Sequence, residues 1–240
     1  MMATPSTHEY FPAPTGSPKR QVVVLLVLLA LAVGVRVWLM DHSATISKDG
    51  VGYVAMARAM EVDAGQAIRT HRRHPGYPSA IVLTHGALRS MGVVDDSVEG
   101  WDRAGRWVSI MASAVVLAGL WLLAAHAFDR RVAWITVLLS LFARKWAAAG
   151  ADVLADPLCV AFQLWAALAA LGAVACYRDR PKRAWLLVLL TGVGAAGAYY
   201  VRPEGGQVII AAGVCWLICA GWRDRRWGWA LLAGAMALVV

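Results

Sequence analysis

The chain has little charge. Asp, Glu, Lys and Arg make up only 16% of its 240 residues, while 60% are hydrophobic. An average soluble domain is about a quarter charged. A soluble core of this length cannot bury so much apolar surface, so lipid must solvate part of it. Cysteine is equally sparse. Cys159, Cys176, Cys215 and Cys219 all lie in apolar runs, without metal or redox spacing, and Cys215 and Cys219 are one helical turn apart. Core packing accounts for them. No internal repeat is evident, and polar residues inside the apolar runs, such as Gln163 and Thr191, are few and scattered. The formal net charge is +8. In a soluble chain this would suggest nucleic acid, but here the basic residues sit in short runs between apolar segments. That is the positive-inside pattern of a membrane protein, and nucleic acid is excluded as a partner.

What is present is a series of spans. Residues 1–20 are rich in Pro, Thr and Ser and read as a disordered cytoplasmic tail. Residues 21–240 read as one transmembrane domain. An unbroken run from Gln21 to Met40 is long enough to cross a bilayer, with Arg36 expected to snorkel to the interface beside Trp38. The tail before it and the apolar segments after it favour a retained anchor over a cleaved signal peptide. A long first external loop, about residues 41–103, holds two helix-like stretches, Val51–Met60 and Pro78–Met91. Both are too short and polar to span, and fit helices lying on the membrane surface. Further spans are expected at Ala104–Phe128, Val132–Ala149, Pro157–Tyr177, Ala184–Tyr200 and Gly206–Gly221, with a last one starting near Trp227. That last segment is short for a span, so the sequence reads as the front part of a longer architecture or as a truncated product. The expected fold is an all-α polytopic transmembrane bundle.

Orientation follows from parity. If Gln21–Met40 runs outward and Pro78–Met91 does not cross, the basic clusters Arg130-Arg131, Arg178-Asp179-Arg180-Pro181-Lys182-Arg183 and Arg223-Asp224-Arg225-Arg226 all fall on the cytoplasmic side. The same parity puts three polar turns outside, around Asp49, around Asp152 and Asp156, and around Arg202-Pro203-Glu204. Ionisable groups near membrane depth are expensive and are functional candidates by default. Each acid also has a plain structural reading. Asp156 before Pro157 resembles an N-cap, Asp49 could cap a helix starting at Gly50, and Glu204 could complement a helix N-terminus. Cations gather on the same face: His71-Arg72-Arg73-His74 before Pro75, Arg144-Lys145, and Arg202. Arginine forks suit phosphate oxygens and lysine supplies a point charge. Arg69 and Arg89 are expected only to meet lipid headgroups or nearby acids. A carboxylate beside cations can take a proton from an attacking hydroxyl while the cations stabilise a departing phosphate.

The motifs in order are Ser-Lys-Asp-Gly-Val-Gly-Tyr (47–53), His-Pro-Gly-Tyr-Pro (74–78), Phe-Asp-Arg-Arg-Val (128–132), Ala-Asp-Val-Leu-Ala-Asp-Pro (151–157) and Tyr-Val-Arg-Pro-Glu-Gly (200–205). Together, over roughly Val22 to Gly221, they resemble the bacterial GT-C glycosyltransferases of the protein O-mannosyltransferase and aminoarabinose transferase type. The resemblance implies a GT-C-like bundle that takes a sugar from a polyprenyl-phosphate carrier and transfers it with inversion at the external face of the cell membrane. The acceptor would be a glycan, lipid or protein. Asp49 then matches the first-loop catalytic acid and Asp156 the acid of the second external loop, with Asp152 as its alternative. His74 matches a basic residue before proline that faces the carrier phosphate, and Arg202 and Glu204 line the site. Apart from the resemblance, Arg73, Tyr53 and Lys145 are further candidates for contact with the substrate or its phosphate. The resemblance demands no cofactor and leaves a divalent metal open. Many relatives carry an acidic pair in the first loop, whereas Asp49 is followed by Gly50.

Two other readings use the same residues. A transporter or flippase for lipid or solute would want broken spans with polar groups along a path, and these are scarce. A non-catalytic remnant or assembly subunit would keep the fold without turnover. The end at Val240 favours it, and the presence of Asp49, Asp156 and the Arg-Pro-Glu turn argues against it.

Overall fold

The computed structural model describes residues 18–43, 45–177 and 179–219, and every regular element among them is helical. In chain order these are α1 (Pro18–Asp41), α2 (Lys48–Thr70), α3 (Gly76–Ser90), α4 (Val98–Ala127), α5 (Arg130–Phe142), α6 (Arg144–Ala151), α7 (Asp156–Cys176) and α8 (Pro181–Val201). A 3-10 turn (Pro203–Gly206) and α9 (Gln207–Cys219) follow. Helices α1, α4, α7 and α8 are long and apolar enough to cross a bilayer, and α5 with α6 makes a further span only as a bent pair. The chain is a polytopic helical membrane protein. The expected segment from Trp227 and the basic cluster at 223–226 lie outside the described residues, as does most of the N-terminal tail. Lys19 and Arg20, read as the end of that tail, already belong to α1.

The expected span Val132–Ala149 is not straight. It breaks at Ala143, whose φ of −68° and ψ of 97° are extended, and α6 leaves α5 at 66°. Arg144 and Lys145 explain the bend, because both are exposed at the start of α6, whereas a straight apolar helix would carry them on as part of the span. The surface helix expected over Val51–Met60 runs instead from Lys48 to Thr70. It is kinked at Asp63, whose carboxylate accepts the backbone N–H of Gln66 at 2.9 Å. Helix α3 matches the expected Pro78–Met91 stretch closely.

Helix α4, about 45 Å long at 1.5 Å per residue, is the central post and packs on α1, α3, α5, α6 and α7. Small residues let the helices close on one another. A Cβ on Gly119 would lie 2.7 Å from Leu164 of α7, and one on Gly197 would lie 2.9 Å from the Phe162 ring. Arg36 does not snorkel. It is fully buried between α1, α4 and α6, where its Nη1 donates to the Ala32 carbonyl at 3.0 Å. Gly150 and Ser113 are small enough to admit it. A Cβ at Gly150 would come within 2.5 Å of the guanidinium.

The principal core cluster lies at the Asp49 end and joins α2, α3, α4, α7 and α8 through Val54, Tyr77, Ile81, Trp101, Cys159 and Val201, with Val153 from the turn before α7. Tyr77 is its hydrogen-bonded centre. Its hydroxyl stands 2.7 Å from Ser109 Oγ and 2.9 Å from the Gly105 carbonyl, and Ser109 donates onward to the Leu154 carbonyl at 3.0 Å. Burial holds the Tyr77 phenol well above its ordinary pKa, so it stays protonated and able to donate. Just before it, Gly76 presses on the end of α8, where a Cβ would meet the Tyr200 backbone at 2.7 Å.

Two variants test this joint by melting in detergent. Tyr77→Phe keeps the ring and removes the hydroxyl, and should cost about 1–3 kcal/mol. Gly76→Ala must push backbone aside and should also lower Tm, at a cost of about 1–3 kcal/mol.

Candidate functional site

The three turns read as external in the sequence do meet at one end of the bundle. The backbone N–H of Ser47 reaches both carboxylate oxygens of Asp152 at 3.2 Å, linking the start of α2 to the turn before α7. Val153 wedges between two glycines, since a Cβ on Gly50 or on Gly105 would lie 2.9 Å from it. This explains the missing second acid of the first loop. Any side chain at position 50 would collide with Val153.

Helix capping does not occupy the two principal acids. Ser47 is the N-cap of α2, its Oγ accepting from the Gly50 N–H at 3.1 Å, so Asp49 in the first turn is released from that task. Asp156 opens α7 without making a side-chain cap bond, and its carboxylate turns to Arg202. Asp152 is the acid committed to backbone. Besides Ser47 it accepts its neighbour Val153 N–H at 2.7 Å. Among the described residues, no group of three or more His, Cys, Asp or Glu side chains is placed to hold a metal ion.

Two ion-paired groups lie at this end. In the first, Arg73 donates to Asp49 at 3.0 Å and lies 4.6 Å above the Tyr53 ring. Gly52 leaves room for that guanidinium. In the second, Arg202 pairs with Asp156 and stands 3.5 Å from Glu204. Partial burial alone would lower the Arg202 pKa. The charges of Asp156 and Glu204, with Tyr53 and Cys159 adding to them, outweigh this and raise it. Tyr53 also meets Tyr77 edge to face, with centroids 5.0 Å apart. The acids remain open to solvent, with 67% of the Asp49 side chain and 46% of the Asp156 side chain exposed.

His74 lies against Tyr199 of α8, with ring centroids 5.7 Å apart, because Gly76 draws the His-Pro-Gly turn onto the end of that helix. It is thus near the Arg202 side rather than beside Asp49. Lys145 is exposed at the start of α6, which packs chiefly on α1 and α4, and it makes no contact with the paired groups. Arg89 neutralises Asp96 at 2.7 Å, as expected of a structural cation. His85 is fully buried, stacked on Trp101 at 3.7 Å, with Nε2 donating to the Asp95 carbonyl at 3.0 Å.

Two features escaped sequence reasoning. Arg106, one of the buried residues of α4, ties the end of α1 to α4 by donating to the carbonyls of Met40 at 3.0 Å and Ser43 at 3.2 Å. An arginine at the polar end of a span gave no signal that it would be turned inward. The other is an apolar groove of about 990 Å³. It runs from Ala80, Thr84 and Leu158 at the site end, past Phe162 and Trp165, to Leu122 and His126 at the other. Packing of α3, α4, α7 and α8 creates it.

A double-mutant cycle on Asp156→Asn and Arg202→Gln, read as melting in detergent, should return a coupling of roughly 1 kcal/mol or less, because both groups are more than a third exposed.

No curated protein and no solved structure matches the chain. The family described as dolichyl-phosphate-mannose-protein mannosyltransferase matches residues 98–240, more than half of the chain. The match begins at α4, so it includes Lys145, Asp152, Asp156, Arg202 and Glu204, while Asp49, Tyr53, Arg73 and His74 precede it. With the helical architecture already described, this places the chain in the dolichyl-phosphate-mannose-protein mannosyltransferase family of membrane glycosyltransferases.

Proposed function

We propose that the chain transfers a sugar from a polyprenyl-phosphate carrier to an acceptor hydroxyl, with inversion, at the external face of the cell membrane. The observation that carries this reading is the pairing of each principal acid with an arginine, Asp49 with Arg73 and Asp156 with Arg202, at the end of the bundle from which a long apolar groove runs. The groove suits an isoprenoid chain, and Leu158 in its lining is two residues from Asp156. Arg73 and Arg202 suit the phosphate, with His74 on the Arg202 side. Asp49, the more exposed acid, is assigned as the base. It accepts the proton of the acceptor hydroxyl as that oxygen attacks the anomeric carbon from the face opposite the phosphate. The arginines stabilise the negative charge that collects on the phosphate as the glycosidic bond breaks. Asp156 and Glu204 hold Arg202 in place, and Asp152 joins the turns. Lys145 has no part in this arrangement. Residues 21–240 act as one GT-C-like domain.

The external orientation rests on charge. With α1 running outward, Arg130-Arg131 at the head of α5 and Lys182-Arg183 at the head of α8 fall on the cytoplasmic side, opposite Asp49. On a background freed of cysteine, Val62→Cys, 89% exposed on α2, should react with a membrane-impermeant maleimide in intact cells. Lys182→Cys should react only after permeabilisation. The reverse pattern would overturn the orientation.

Transfer is tested by reconstituting the chain with a polyprenyl-phosphate sugar and following release of polyprenyl phosphate. Asp49→Asn should lose about 10²–10⁴-fold in turnover, the usual worth of a general base. Equal product from the variant and the wild type would remove Asp49 from the mechanism.

A further inference from the structure

Neither arginine of the site is free. Arg73 is held by Asp49 at 3.0 Å and rests on the Tyr53 ring. Arg202 is shared by Asp156 and Glu204. The three carboxylates and two guanidinium groups of these pairs carry a formal charge of −1 between them. The pairs themselves offer an approaching anion no net positive charge. A phosphate can be held strongly there only by taking an arginine away from its carboxylate.

Of the two pairs, Asp49–Arg73 is the easier to exchange. It is made through one carboxylate oxygen, with Asp49 67% exposed and Arg73 31%. Arg202 is clamped between two acids. The seat of Arg73 is also conditional, because it exists only while position 52 has no side chain. A Cβ there would lie 2.5 Å from Arg73 Nε and 2.8 Å from Nη2.

We propose that the Asp49–Arg73 pair is a latch opened by the donor. This rests on the donor reading above. The carrier phosphate replaces Asp49 as the partner of Arg73, and the released Asp49 carboxylate becomes the proton acceptor. The order of events is thereby set. Before the donor binds, one oxygen of Asp49 is engaged by the guanidinium, and the carboxylate is held on Arg73 instead of being turned to an acceptor. Once the phosphate has taken Arg73, Asp49 accepts the hydroxyl proton as the new bond to the anomeric carbon forms. The bond from that carbon to the phosphate oxygen breaks, and its electron pair leaves with the phosphate. The latch prevents the base from working on an acceptor, or on water, when no donor is present.

The test is binding of farnesyl phosphate, an isoprenyl monophosphate, to the full chain in nanodiscs. Asp49→Asn should bind roughly two- to five-fold tighter than wild type, the range set by an exposed ion pair. Loss of a repelling charge would give the same sign, so Gly52→Ala is the deciding variant. It keeps every charge and displaces only the flexible end of Arg73, and it should tighten binding to a similar degree. Arg73→Gln should weaken binding. Should Gly52→Ala melt well below wild type, Tyr53→Leu takes its place by removing the ring beneath the guanidinium. Tightening in Asp49→Asn without tightening in the seat variant overturns the latch, as does no tightening in either. Failure of the wild type and every variant to bind overturns the donor reading itself.

Discussion

The hydroxyl of Tyr77 is the constraint on which this end of the molecule depends. Through Ser109 it reaches the carbonyl of Leu154, and so ties the first-loop helices to α4 and to the turn that carries Asp152 and Asp156. A turn at the edge of a bilayer has few waters to satisfy its backbone, and an unpaired carbonyl there is costly. The Tyr77–Ser109 pair removes that cost and fixes the position of the turn in the same stroke. Val153, held between Gly50 and Gly105, fixes the spacing on the other side. With both in place, the first turn of α2 sits against the turn that precedes α7.

These turns then sort three similar acids into different work. The Ser47 hydroxyl caps α2, so Asp49 can face Arg73. In α7 the N-cap position is taken by Ala155, so Asp156 lies in the first turn and its carboxylate turns to Arg202. Asp152 finds the amides of Ser47 and Val153 and is consumed by them. The local backbone, more than the acid itself, decides which carboxylate is left for chemistry.

Much of the bundle was legible in the sequence because the bilayer imposes a length and an apolar character on each span, and both are one-dimensional properties. Helix α3 and the spans α4, α7 and α8 follow from that reading. The break at Ala143 does not, since an average over hydropathy hides a bend that has no proline to mark it. Arg36 was misread for a related reason. Its place near the end of α1 suggested the interface, but the small neighbours that admit it, Ser113 and Gly150, come from helices far away in sequence. Lys145 was grouped with the site by parity alone. The bend at Ala143 carries it onto α6, away from the paired acids.

By itself, the sequence determined that the chain is a membrane bundle and which polar turns share one end. Charge, apolar length and parity act along the chain and need no contacts to be read. The tertiary structure decided the pairing: Arg73 with Asp49, Arg202 with Asp156 and Glu204, and Asp152 with backbone. Pairing depends on which side chains packing brings within a few ångströms. That is set by Val153, Gly50, Gly76 and Tyr77, residues that carry no charge.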